Sequence, residues 1–194
     1  MDADEEKIEP AERPDVIADR LAFKSRFVLV FGEINHQTAR ATCTRLIALA
    51  EESDAPISVL ISSPGGHVES GDAIHDVIRF VRSPITTIGT GWVASAGTHI
   101  FIAAPKERRV CLPNTRFMIH QPGGGAGGPA TDIAIQAKEI IKTRERIARV
   151  IARQTGQDLQ KVLNDMERDF WMSADEAIQY GLVSKIIETS RELG

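Results

Sequence analysis

Three features of the 194-residue chain predict an α/β fold built on a mainly parallel sheet. Short apolar runs alternate with stretches whose apolar residues recur at helical spacing, the pattern of strand–helix–strand units. A turn, Pro64-Gly65-Gly66, follows one of those runs directly, as a buried strand does when it hands over to a helix. Residues 130–153 form one long amphipathic segment. Parallel sheets of this kind tend to place their chemistry where strands end and helix N-termini begin.

The elements follow in order. Residues 1–20 are charged, contain prolines and carry little apolar surface, so they are expected to form a flexible or partner-ordered arm. Residues 21–194 are expected to form a single domain. Phe27 to Phe31 is a short apolar run suited to a buried strand. A helix is predicted from Thr38 to Glu51 by the spacing of Cys43, Leu46, Ile47 and Ala50. Ile57 to Ile61 is the next strand. Ile74, Val77, Ile78 and Val81 mark a helix, and Ile85 to Ile88 a strand. His99 to Ile102 and Phe117 to Ile119 are read as further strands. In 130–153, Ile133, Ala137, Ile140, Ile141, Ile147, Val150 and Ile151 line one face, and lysines, arginines and glutamates fill the rest. A helix of about six turns in so small a domain is expected to project and to need a partner for its apolar face, the alternative being that this face packs on its own sheet. Ser173 and Glu176 form a capping box, Gly181 ends that helix, and Leu182 to Ile187 is the last predicted strand.

Composition narrows the function classes. Apolar residues make up 42% and charged residues 26%, which suits a soluble globular domain with a sizeable core. A net charge of −4 argues against nucleic acid or an anionic membrane as partner. No run approaches the roughly 18 apolar residues of a membrane span, and the acidic start, Met1 to Glu6, is unlike a signal peptide. A cytoplasmic protein is expected. Cys43 and Cys111 read as two reduced core thiols.

Ser95, His120 and Asp169 supply the parts of a base-activated nucleophile, because a serine hydroxyl needs a base and the base needs an orienting carboxylate. Ser95 lies among Ala94, Ala96 and Gly97, where a strand can turn into a helix whose N-terminus favours developing negative charge. The segment lacks the glycine two residues before serine that a nucleophile elbow carries, so alone it reads as a helix-capping serine. Gly65 and Gly66 are able to expose backbone N–H groups, or simply to turn the chain. His120 closes an apolar run before Gln121 and Pro122; a base, a metal ligand and a structural histidine are all compatible with that place. His36, His67, His75 and His99 show no metal-ligand spacing, and His67 is set aside as a bystander. Asp169 ends a charged run before Phe170 and Trp171; such a run usually marks a solvated helix face, and the aromatics are compatible with partial burial of the carboxylate. Glycines 123–128 lack the Gly-Lys-Ser/Thr of a phosphate loop.

Taken together, the segments resemble the proteolytic subunit of the Clp protease. The resemblance rests on Ser62-Ser63-Pro64-Gly65-Gly66, Ala94-Ser95-Ala96-Gly97, Leu112-Pro113-Asn114, Met118-Ile119-His120-Gln121-Pro122, Thr131-Asp132-Ile133, Glu167-Arg168-Asp169 and Tyr180-Gly181-Leu182-Val183, in order across roughly residues 26–187. It implies a crotonase-like fold of repeated βαβ units with a protruding handle helix, the handle region being about 121–153. It also implies a serine endopeptidase, with Ser95 as nucleophile, His120 as general base, Asp169 as orienting carboxylate, and the N–H groups of Gly66 and Ala96 as oxyanion hole. Gln121, Pro122, Gly123 and Gly124 would line the substrate path and join rings, and Glu167 and Arg168 would form a ring-to-ring ion pair. The implied assembly is a homo-oligomer of heptameric rings, two of them stacked, fed with unfolded polypeptide by an AAA+ ATPase. No metal or organic cofactor is implied. The chain departs from the pattern at Ser58 and Leu60, where aromatics commonly line the ATPase-docking pocket, and at Trp92, Ala96 and Phe170 near the triad. Two other classes fit parts of the pattern: a regulatory ring subunit supporting an active paralogue, and a crotonase-fold acyl-CoA enzyme using Gly66 and Ala96 for a thioester oxyanion.

Overall fold

The computed structural model of the chain describes residues 14–125 and 127–193. Helix α1 (Pro14–Lys24) leads into strand β1 (Phe27–Phe31), followed by α2 (His36–Glu52), β2 (Ile57–Ser63), α3 (Val68–Phe80), β3 (Ile85–Ala94) and α4 (Ala96–Phe101). Then come β4 (Arg109–Cys111), β5 (Arg116–Ile119), α5 (Ala130–Thr155), α6 (Leu159–Asp165), β6 (Phe170–Met172), α7 (Ala174–Tyr180) and β7 (Lys185–Ile186). Of the expected flexible or partner-ordered arm, residues 14–20 fall in α1, and residues 1–13 lie outside the described residues.

Strands β1, β2 and β3 pair in parallel, with Val28 opposite Val59 and Ile57 opposite Ile85. The predicted parallel sheet is therefore present, with helices returning the chain between its strands. Val28, Val30, Val59, Ile61 and Val93 are fully buried, so the apolar runs are core strands. Helices α2 and α3 each have a local start signal. The Asn35 side chain accepts from the Thr38 N–H, and the His67 ring from the Ser70 N–H. The capping box of Ser173 and Glu176 forms as expected.

The sheet forks along β3, and the fork makes room for the site. Thr87 to Gly89 pair with β4, whereas Trp92 to Ala94 pair with β5. β5 then pairs antiparallel with β6, Ile119 facing Phe170. The far side is anchored by Arg109, which is buried to 1% exposure yet satisfied. Its Nε donates to the Ala104 carbonyl at 2.8 Å and its Nη2 to Gln154 Oε1 at 2.8 Å. Burial lowers its pKa to about 10, so it remains a cation tying β4 to the end of α5.

Two strand expectations are corrected. His99 to Phe101 lie in α4 and Ile102 caps it, because a short helix buried on all sides is as uniformly apolar as a buried strand. Of Leu182 to Ile187, only Lys185 and Ile186 pair as a strand. The long helix runs Ala130–Thr155, about 39 Å at 1.5 Å per residue. Its C-terminal half packs on the core through Ala148 and Ile151, while residues 130–139 are exposed throughout, so it projects. No helix among the described residues is long and apolar enough to cross a membrane. Cys43 and Cys111 are free thiols, and burial pushes Cys111 up to about 11, far from a reactive thiolate.

Candidate active site

Ser95 stands between β3 and α4 with φ 55° and ψ −119°, one of two non-glycine residues with positive φ among those described. A serine held in this region costs on the order of 1–3 kcal/mol, which the surrounding structure must impose. Two contacts do so. The Ser95 N–H donates to the Met118 carbonyl at 2.9 Å, and the Thr98 hydroxyl bridges the Val93 and Met118 carbonyls at 2.7 and 2.8 Å. The plain reading of Ser95 as a capping serine is thereby overturned, since its hydroxyl makes no cap hydrogen bond. Strain builds the elbow here without a glycine at position 93.

The hydroxyl instead meets His120. Ser95 Oγ lies 2.8 Å from His120 Nε2, and His120 Nδ1 lies 3.0 Å from Asp169 Oδ1. The β5–β6 pairing explains the second contact: Ile119 faces Phe170, so the residues just beyond, His120 and Asp169, fall opposite each other. Of the two readings of its charged run, the solvated one holds for Asp169, whose side chain is 62% exposed. Phe170 packs towards Tyr180 and leaves the carboxylate open on the hairpin edge.

The glycine turn closes against the same hydroxyl. A Cβ added to Gly65 would sit 2.6 Å from Ser95 Cβ and 3.0 Å from Ser95 Oγ, and Gly65 has φ +99°. Only glycine suits that place, on both space and backbone. The adjacent Gly66 packs on Ile34, and Ala96 is the first residue of α4, where helical geometry supplies no partner for its N–H. The turn residue and the helix start thus flank the serine, as an oxyanion site requires.

Beside Ser95 and His120 opens a cavity of about 30 Å³ with largely apolar walls, formed by Val68, Ala96, Ile119, Pro122, Ile147 and Ile151. Its remaining wall is His99, which no sequence motif singles out. His99 Nε2 lies 3.0 Å from Asp72 Oδ1, and Arg146 of α5 holds both oxygens of Asp72 at 2.8 and 2.7 Å. Burial pushes the Asp72 carboxyl up, but the hydrogen bonds and charges of His99 and Arg146 outweigh it and hold it well below the usual range. His75 stacks on His99 at 4.5 Å between centroids. Asp72 and His75 lie three residues apart on α3 and His99 on α4; only knowledge of the helix packing brings them together.

The other expected site residues divide. Gln121 is tied back by its N–H to the Met166 carbonyl and by its side chain to the Glu167 carbonyl at 3.0 Å. Pro122 lines the cavity, and Pro122 and Gly123 both border the outer cleft beside His67 and α5. Gly124 lies against Ile140 of α5. Glu167 pairs within the chain with Arg144 at 2.8 Å, and Arg168 is exposed beside Asp169. Among the described residues no group of three His, Cys, Asp or Glu side chains could hold a metal.

Comparison with known proteins adds an independent line. Residues 10–190 match the Clp protease family. The ATP-dependent Clp protease proteolytic subunit 2 of Gluconobacter oxydans is 62% identical over 88% of this chain and 78% of its own length. The protein of the same description from Pseudomonas aeruginosa is 51% identical over 89% of this chain and 86% of its own length. Among solved structures, ClpP1 from Listeria monocytogenes superposes with a TM-score of 0.83 at 47% identity, covering 92% of this chain and 99% of that one. With a strained serine, a histidine and an aspartate in hydrogen-bonded series on this fork of the sheet, the chain belongs to the Clp protease family.

Proposed function

We propose that the chain is the serine peptidase subunit of a Clp-type assembly, with Ser95 as nucleophile, His120 as general base and acid, and Asp169 as the carboxylate that orients it. The observation that carries this reading is the unbroken series Ser95 Oγ–His120 Nε2–Asp169, at 2.8 and 3.0 Å, on a serine whose backbone is strained to present it. Nδ1–H donates to Asp169, which leaves the Nε2 lone pair facing the hydroxyl. Ser95 Oγ attacks the peptide carbonyl carbon as its proton passes to Nε2. The N–H groups of Gly66 and Ala96 receive the oxyanion. The imidazolium, stabilised by Asp169, returns the proton to the leaving amine, and water then hydrolyses the acyl-enzyme by the same route.

The relatives' description as ATP-dependent proteolytic subunits supports a partnership with an ATPase that delivers unfolded polypeptide in the cytoplasm. The projecting α5, with Ile133, Ile135 and Ile141 exposed, supports a homo-oligomer in which those residues meet other copies, in heptameric rings stacked in pairs. In this assembly Gln121 to Gly124, Glu167 and Arg168 border the substrate path and the junction between rings.

Ser95→Ala tests the reading. Peptide cleavage by the assembled protein is expected to fall by at least about 10³-fold with assembly intact. Persistent cleavage by the alanine variant would contradict it.

A further inference from the structure

We infer that Asp72 is a positioning residue for the reaction: its carboxylate joins α3, α4 and α5, and so fixes the spacing of the two N–H groups that receive the oxyanion. This role rests on the peptidase reading, in which Gly66 and Ala96 supply those groups. The two donors stand at the starts of different helices. Gly66 lies two residues before α3, and Ala96 is the first residue of α4. Their separation therefore follows from how α3 packs on α4.

That packing is close but small in side-chain content. A Cβ added to Gly71 would sit 3.2 Å from Ala96 Cβ, so α3 meets the first residue of α4 through a glycine. A glycine against an alanine offers no ridge and groove to oppose sliding. The next residue, Asp72, supplies directional bonds instead. Arg146 of α5 donates through Nη1 and Nη2 to its two oxygens at 2.8 and 2.7 Å. A carboxylate only accepts, so the facing His99 Nε2, 3.0 Å from Oδ1, carries a proton and donates it. The His99 backbone N–H in turn donates to the Ser95 carbonyl at 3.1 Å, closing the first turn of α4. The contacts thus run from α5 through Asp72 to the turn that carries the nucleophile and Ala96. Forked pairs of bonds fix geometry as well as adding energy, and the Asp72 side chain is only 22% exposed, so salt screens them incompletely. Oxyanion donors act on charge that develops in the transition state, so displacing them lowers kcat and leaves KM in place.

The test uses the assembled full-length protein and a short peptide substrate, with active sites counted by a fluorophosphonate. Asp72→Asn keeps the shape but sets an amide N–H against a donor. Its kcat per labelled site is expected to fall about tenfold, with KM within about twofold of the wild type's. Arg146→Gln should do the same, and the double variant should be no worse than the worse single, because both break one clip. Unchanged kcat per site in both variants overturns the inference, and so does a double-variant loss equal to the product of the two. A loss confined to KM overturns it too, by placing the effect at the cavity wall of Ile147 and Ile151. So does a fall in the number of labelled sites that accounts for all the lost activity, since that is a loss of folded protein. If Asp72→Asn does not assemble, Arg146→Gln, on a half-exposed side chain, decides by the same readouts. A wild type that neither cleaves the peptide nor labels at Ser95 overturns the peptidase reading, and with it this one, whereas full labelling with undisturbed variants overturns only the role of Asp72.

Discussion

At Ser95 a plain sequence and an unusual backbone meet. The residue was legible as a candidate because small neighbours surround it, but its positive φ is imposed by the Met118 carbonyl, which no local motif announces. The Gly65 requirement is similar: a glycine after a strand is ordinary, and only the 2.6 Å approach to Ser95 shows what it makes room for. Gly65→Ala is expected to lower kcat/KM by about 10²-fold or more, since a misplacement near 1 Å at the reacting atoms costs that much. Wild-type activity in that variant, measured on a small peptide, would show that the turn does not press on the nucleophile. Asp169→Asn should cost up to about 10⁴-fold in kcat, by the tautomer it imposes on His120. That carboxylate stays exposed because Phe170 and Trp171 turn their rings elsewhere.

Among the elements, the strands and long helices were readable because burial and periodicity are local. Helix α4 was not, since six buried residues have no exposed face to reveal a period. The same packing creates a pH-sensitive seam between α3 and α4. Burial, with the charge of His99 beside it, lowers the His75 pKa to about 4, partly opposed by Asp76. The unfolded chain takes up this proton first, near pH 6.5. The stability contributed by neutral His75 is therefore fully present above about pH 6.5. It declines by up to about 3 kcal/mol as pH falls towards 4 and levels off below. Asp72 does not share this window, because its carboxyl is held below its ordinary range and loses its contribution only in stronger acid. Denaturant titrations at pH 7 and pH 4.5 should show the loss in the wild type and a smaller loss in His75→Phe. Equal losses would remove His75 as the cause.

For the whole molecule, the fork of the sheet and the projection of α5 serve different ends. The fork brings residues 95, 120 and 169 together from three separate segments, which is why no single stretch of sequence could carry the site. The projecting half of α5 leaves Ile135 and Ile141 more than half exposed, an arrangement that suits contact with further copies. Ile135→Glu with Ile141→Glu is expected to lower the assembled mass measured by sedimentation, and an unchanged mass would place the contacts elsewhere. Covalent labelling decides whether one serine on this fork is the nucleophile of a peptidase. After treatment with a fluorophosphonate, intact mass and peptide mapping should find one adduct per chain, on Ser95, forming far more slowly in His120→Ala. An adduct on another residue, or a Ser95 that stays unmodified in a protein still cleaving peptides, would rule Ser95 out as the nucleophile.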